Sequence, residues 1–342
     1  MALPVSILDL VTLRPGEAPG AAIARSVDLA RRAEQWGYCR FWLAEHHSIA
    51  GLACSATSVL IGHVAAATNT LRVGSGGIML PNHPPLVVAE QFGTLEALYP
   101  GRIDLGLGRA PGGDFATMRA LRRDLRQSGD DFPELLEELR AYLGPACPGQ
   151  AVHAFPGQDS RVPITLLGSS DFSARLAAQQ GLPFAFAAHF APDRLCEAAR
   201  LYRTQFRAIA ASDATLRQPY LIVGVAVIAA PTDAAAQRLF TTAQQRFLAL
   251  IRNQPVELLP PVDSMDSLWT DWERAAVESK LGAAIVGSNA TVKAGLERLI
   301  AATGADEIIA VTDTWDLGDR LESYRRLAEI ASAIEVRAEV QA

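Results

Sequence analysis

Cysteine is scarce in this chain, with 4 in 342 residues, and Cys39, Cys54, Cys147 and Cys196 lie far apart with no Cys-x-x-Cys pair. That spacing argues against a disulfide framework and a structural zinc site, and it makes a reducing cytoplasm the natural home. Charge is also sparse. Only 20% of residues are charged, and 31 Lys and Arg against 37 Asp and Glu leave a net charge of -6. Nothing in that balance recruits nucleic acid or anionic lipid by long-range attraction. No apolar run is long: 221–230, the longest, is about half of the 20 residues a membrane helix needs, and it reads as a buried strand. The N-terminus has no basic region and meets Asp9 almost at once, so no secretory leader is expected.

Apolar residues make up 49% of the chain, which is enough for a large core. Short apolar runs alternate with longer segments of helical period, the pattern of parallel strands joined by crossover helices. Strands are expected over 5–10, 40–43, 71–80, 102–107, 163–167, 183–187, 220–229 and 307–312. Helices are expected over 21–36, 55–68, 86–99, 171–180 and 317–331, with a polar helical stretch over 114–143. Eight such units match an α/β fold of the (β/α)8 TIM-barrel type, a single domain over 1–342. The connection between strands seven and eight, 230–306, is enlarged; it reads as a helical insertion, either a lid or an oligomer face.

In such a barrel the active site lies where strands end, so motifs at those positions carry the functional argument. Four of the 6 histidines fall there: His46, His47, His83 and His189. Glu45-His46-His47 leaves the second strand as a carboxylate and two imidazoles, able to donate and accept protons or simply to cap the loop. A metal is not expected, because strand one ends in Asp9-Leu10 without the His-x-His pair that barrel metallohydrolases offer. Strand three contains Gly74-Ser75-Gly76-Gly77, where glycine marks either a bulge or the close approach of a flat ligand to the backbone. Strand four ends in Gly106-Leu107-Gly108-Arg109, and strand five in Gly168-Ser169-Ser170-Asp171 with Ser173 entering a helix. An arginine fork and a helix N-terminus backed by small hydroxyls together suggest a phosphorylated ligand. Asp9, His83, His189 and Asp313 are expected at a substrate pocket, although each could equally satisfy loop backbones.

Four blocks carry a resemblance. They are Trp42-Leu43-Ala44-Glu45-His46-His47, the glycine-bearing stretch 71–84, Ala89-Glu90-Gln91, and Gly101-Arg102-Ile103-Asp104-Leu105-Gly106-Leu107-Gly108-Arg109. In order and spacing they resemble the bacterial luciferase-like flavin monooxygenases. The resemblance implies a (β/α)8 barrel with FMN at the strand ends, Gly76-Gly77 under the flavin, Arg109 on its phosphate, and Gly168, Ser169, Ser170 and Ser173 around the phosphate loop. His46 matches the family's catalytic histidine, with Glu45 or His47 setting its tautomer. The implied reaction uses reduced FMN from a separate flavin reductase and O2 to oxygenate a small organic substrate through a C4a-peroxyflavin. A homodimer is also implied. No Gly-x-Gly-x-x-Gly fingerprint for NAD(P)H is visible, which fits an external supply of reduced flavin. Gly108 stands where luciferase has a reactive cysteine, which counts against light emission, and the phosphate loop lacks luciferase's glutamate before its serine. Rival readings are coenzyme F420-dependent hydride transfer, a metal-dependent hydrolase, and a non-catalytic flavin-binding protein.

Overall fold

Strands buried on both faces read as continuous apolar runs, and here such runs close into a parallel barrel. The structure, a computed structural model, describes residues 2–109, 115–121, 129–208 and 216–336. Its strands are β1 (Val5–Asp9), β2 (Arg40–Leu43), β3 (Arg72–Ser75), β4 (Ile78–Met79), β5 (Ile103–Gly108), β6 (Ile164–Gly168), β7 (Phe184–Ala187), β8 (Leu221–Ala229), β9 (Ile285–Gly287) and β10 (Glu307–Val311). Neighbours follow the order β10-β1-β2-β3-β5-β6-β7-β8, and β8 pairs β10 to close the ring of eight. Every pairing is parallel; Val5 opposes Ile308 on one side of the seam, and Glu307 opposes Ile222 on the other.

The crossover helices are α1 (Pro19–Gln35), α2 (Thr57–Ala66), α3 (Pro85–Leu98), α4 (Phe115–Ala120), α5 (Phe132–Leu143), α6 (Asp171–Gln179), α7 (Leu195–Gln205), α8 (Asp233–Ile251), α9 (Asp271–Lys280), α10 (Asn289–Thr303) and α11 (Leu317–Ser332). Of the expected polar helix over 114–143, α4 and α5 are described, while 114 and 122–128 lie outside the described residues. Among the described residues no helix is long and apolar enough to cross a membrane.

Two expectations need correction. Strand three is two pieces, β3 and β4, separated by a cis peptide between Gly76 and Gly77. The connection after strand seven is also not purely helical. β8 outlasts its neighbours, and its final residues offer a free edge on which β9 pairs, with Val227 opposite Ile285.

The amino-terminal end of the barrel is filled by charge. Glu307 binds Arg40 at 3.0 Å, Ser6 Oγ at 2.5 Å and Tyr220 Oη at 2.8 Å. Asp104 takes Arg40 at 3.0 Å, Arg72 at 2.5 Å and the Trp42 indole N–H at 3.1 Å. The two carboxylates are buried, and each meets both charged and neutral donors. This layer seals one end of the barrel and leaves the other for chemistry.

Candidate active site

At the carboxyl ends of the strands lies a cavity of about 540 Å³. Its floor is Leu8, Trp42 and Ile309; its rim carries His46, Arg109, Ser169, Ser170, Ser173 and His189; and α8 with the segment beyond it adds Arg246, Phe247, Leu250 and Val256. The elements that meet here run from β1 to β10, so only closure of the barrel assembles the site.

One wall is bare backbone. Gly76 donates its N–H to Leu43 O at 2.8 Å, which holds the peptide at the end of β2. A Cβ on Gly77 would sit 2.6 Å from Gly106 O, a backbone atom with nowhere to retreat. The glycine is therefore required by close packing of β4 on β5, and its partner Gly76 presents a flat peptide to the cavity. Gly108 differs: the nearest atom to a Cβ there is Ile78 O at 3.9 Å, so its missing side chain simply leaves room.

Next to it, at the ends of β5 and β6, lies a candidate anion seat. Arg109 stacks its guanidinium over the Phe172 ring at 4.3 Å, and among the described residues no carboxylate pairs with it. The N-cap of α6, Ser170, is extended and makes no side-chain cap, so the first N–H groups of this helix keep their affinity for an anion. Gly168, Ser169, Ser170 and Ser173 all face the cavity beside them.

The imidazole of His46 lines the same cavity, held by its backbone: Ser55 Oγ donates to His46 O at 2.7 Å. Burial, reinforced by the positive charge of Arg246, pushes its pKa down to about 4. His189, across the cavity, is pushed to about 4 in the same way, by burial first and Arg246 among the lesser causes. Both rings are therefore neutral near pH 7.

Of the two roles open to Glu45, orienting His46 or capping the loop, its hydrogen bonds fit the second. Its Oε1 lies 2.6 Å from His47 Nε2 and 2.8 Å from His83 Nε2, and its Oε2 accepts the Met79 N–H at 3.1 Å. Burial opposes its charge, but the hydrogen bond and charge of His83, with the hydrogen bonds of His47 and the Met79 N–H, outweigh burial and hold the Glu45 carboxyl below the usual range. The triad ties the loop after β2 to the loop after β4, just behind the glycine wall. Its three ligand atoms lie within 4.8 Å of one another, a grouping able to hold a metal ion that the residue spacing did not foretell. His47 and His83 do not line the cavity.

Two further pocket candidates are corrected. Asp9 is buried against Arg320 at 2.9 Å and Ser26 Oγ at 2.5 Å; burial opposes its charge, yet Arg320 prevails and lowers its pKa. Asp313 pairs with Arg246 and faces a small adjoining hollow instead of the main cavity. Strand-end position did bring His189 to the wall, but it could not tell an inward side chain from one bound by a helix. Arg246 was missed altogether. Its signal was an arginine on α8 set within the buried stripe Phe240, Ala243 and Phe247.

Residues 3–307 match the family model described as luciferase-like monooxygenase. The chain belongs to this family. The luciferase-like chain is 54% identical to the Bacillus subtilis (strain 168) protein YvbT, over 95% of this chain and 96% of that one. It is 48% identical to an Escherichia coli (strain K12) luciferase-like monooxygenase, again over 95% and 96% of the two chains. Among solved structures, apo-MsnO8 is 37% identical with a TM-score of 0.82, covering 96% of this chain and 98% of that one. More distant structures share the fold alone. They include the oxygenating constituent of 3,6-diketocamphane monooxygenase in complex with FMN, at 18% identity and TM-score 0.75, and an F420-dependent secondary alcohol dehydrogenase, at 14% and 0.62. Luciferase-like monooxygenases are oxidoreductases, and the paired-glycine wall, Arg109 and His46 stand in this member on one cavity.

Proposed function

We propose that this protein is an FMN-dependent monooxygenase that takes reduced FMN from a separate reductase and transfers one atom of O2 to a small organic substrate. The observation that carries this reading is the convergence on one cavity of a guanidinium with no carboxylate partner among the described residues, an uncapped helix start, a bare peptide wall and a neutral imidazole. The residues fit the cofactor. Arg109, Ser169, Ser170, Ser173 and the first N–H groups of α6 suit a phosphate, and the Gly76-Gly77 peptide leaves space for a flat ring.

When bound, reduced FMN supplies the electrons that activate O2, the second oxygen atom leaving as water. The chain's own work is positioning and proton control. Leu10, Trp42, Phe247 and Leu250 line the cavity with apolar surface and exclude water from the reacting centre. His46, neutral at working pH, can take a proton at a ring nitrogen from the reacting group and return it. Glu45, His47 and His83 hold the loop that carries His46 and the strand that carries the glycines. We read 230–306, whose α8 walls the cavity, as its lid, and a cytoplasmic homodimer as the working form.

Titration with FMN, followed by oxygen consumption with a reductase and a substrate panel, tests the proposal. His46→Ala is expected to slow oxygenation far more than it weakens FMN binding; equal losses in both would make His46 structural. Thermal stabilisation by F420 and not by FMN would overturn the cofactor assignment in favour of hydride transfer. FMN binding with no oxygen consumed would leave a flavin-binding protein.

A further inference from the structure

A second cation borders the cavity, and the cofactor reading does not use it. Arg246 reaches the wall from α8 and is buried, at 9% exposed. Its Nε and Nη2 lie 2.9 and 2.8 Å from Asp313 Oδ2, while Nη1 has no hydrogen-bond partner among the described residues. The pair is oriented. Arg246 belongs to the walls of both hollows, whereas Asp313 faces only the small one behind, among Ile228, Phe240 and Leu281. The cationic end therefore looks into the main cavity and its counter-ion looks away. The electrostatics separate the two charges: the arginine acts on both His46 and His189, whereas the Asp313 carboxylate acts on His189, which also borders the small hollow, and is not among the causes at His46.

An arginine buried at a cavity wall with one edge engaged offers its remaining N–H groups to an acceptor. Asp313 already neutralises part of its charge and would repel a dianion, so a phosphate is poorly suited, and Arg109 already provides a better phosphate seat. A monoanion making one or two contacts fits. Beyond Arg246 the wall is apolar, formed by Phe247, Leu250 and Val256. We propose that Arg246 is the specificity residue for the oxygenated substrate, anchoring the carboxylate of a small, otherwise apolar acid whose carbon chain lies along α8. This rests on the FMN monooxygenase reading for what happens to the acid, but not for its binding.

Octanoate, octanamide and octanol serve as probes of equal length. Binding is followed by isothermal titration calorimetry, with and without FMN. Octanoate is expected to bind about tenfold or more tighter than the two neutral probes, the worth of one charge-assisted hydrogen bond. Arg246→Lys should keep part of the preference and Arg246→Met abolish it, with octanamide binding and FMN affinity unchanged. Because Arg246→Met leaves Asp313 buried without its partner, the double variant Arg246→Met/Asp313→Asn repeats the measurement with the charge removed from both sides. Equal binding of all three probes by the unaltered protein would overturn the proposal. So would a loss of FMN affinity in both variants equal to the loss of octanoate, since the cation would then serve the cofactor. If FMN does not bind at all, the cofactor reading falls, while the probe comparison without FMN still decides the role of Arg246.

Discussion

The two ends of this barrel handle buried charge in opposite ways. At the amino-terminal end, Arg40, Arg72, Asp104 and Glu307 are bound to one another and to Ser6, Tyr220 and Trp42. At the carboxyl end, among the described residues, Arg109 has an aromatic ring beneath it and no carboxylate partner, and Arg246 keeps one nitrogen free beside two neutral imidazoles. Pairing is not absent there, since Arg320 and Asp9 are bound together, but that pair lies behind the cavity wall. Polar groups that satisfy each other stabilise the barrel and have nothing left to offer. Groups the protein leaves unsatisfied are the ones a ligand can use.

The sharpest way to break this comparison is at the sealed end. Glu307→Ala takes from Arg40 one of its two carboxylate partners and leaves Ser6 and Tyr220 without their acceptor, and breaking a buried pair from one side costs about 3–5 kcal/mol. Urea unfolding should show a loss of that size, with FMN affinity of the folded fraction unchanged; a loss below about 1 kcal/mol would mean the layer is not a structural plug. Gly77→Ala should come next, at about 1–3 kcal/mol, because its Cβ would press on a backbone oxygen 2.6 Å away.

Acid should act on the open end first. His46 and His189 titrate at about 4 when folded, against 6.5 for an ordinary histidine. Between those values the unfolded chain binds more protons, so stability is complete above 6.5 and falls as the pH drops through this window toward 4. Stability measured against pH should show that slope, and His46→Asn should flatten part of it. The smallest effect belongs to the mouth itself. Gly108→Ala, with open space around its Cβ, and Arg109→Ala should each change stability by less than about 0.5 kcal/mol. Arg109→Ala should nevertheless weaken FMN binding about tenfold to a hundredfold, as expected for lost charge-assisted hydrogen bonds.

Much of the site was legible before the fold was known. Arg109, Gly76, Gly77 and the serines after β6 stand at strand ends, and each advertises its chemistry by residue type: a fixed cation, a bare peptide, a helix start with hydroxyls. Asp9 and Asp313 stand at equivalent places and were misread. Arg320, which claims Asp9, is 311 residues further along, and Arg246 reaches Asp313 from a helix in a different connection. Adjacency in sequence left the Glu45 carboxylate either to orient His46 or to cap the loop, and the fold sends it to His47, His83 and the Met79 N–H.

Periodicity along the chain was thus sufficient for the eight barrel strands in outline and for the helices expected from it, though not for β9 or the break between β3 and β4, because alternation of apolar runs and the residues that interrupt them are local properties. Which polar side chains face the cavity, and which are silenced by a partner, was decided only when the barrel closed. Charge is satisfied by whatever lies within a few ångströms, and in a closed ring of parallel strands those neighbours come from any part of the chain.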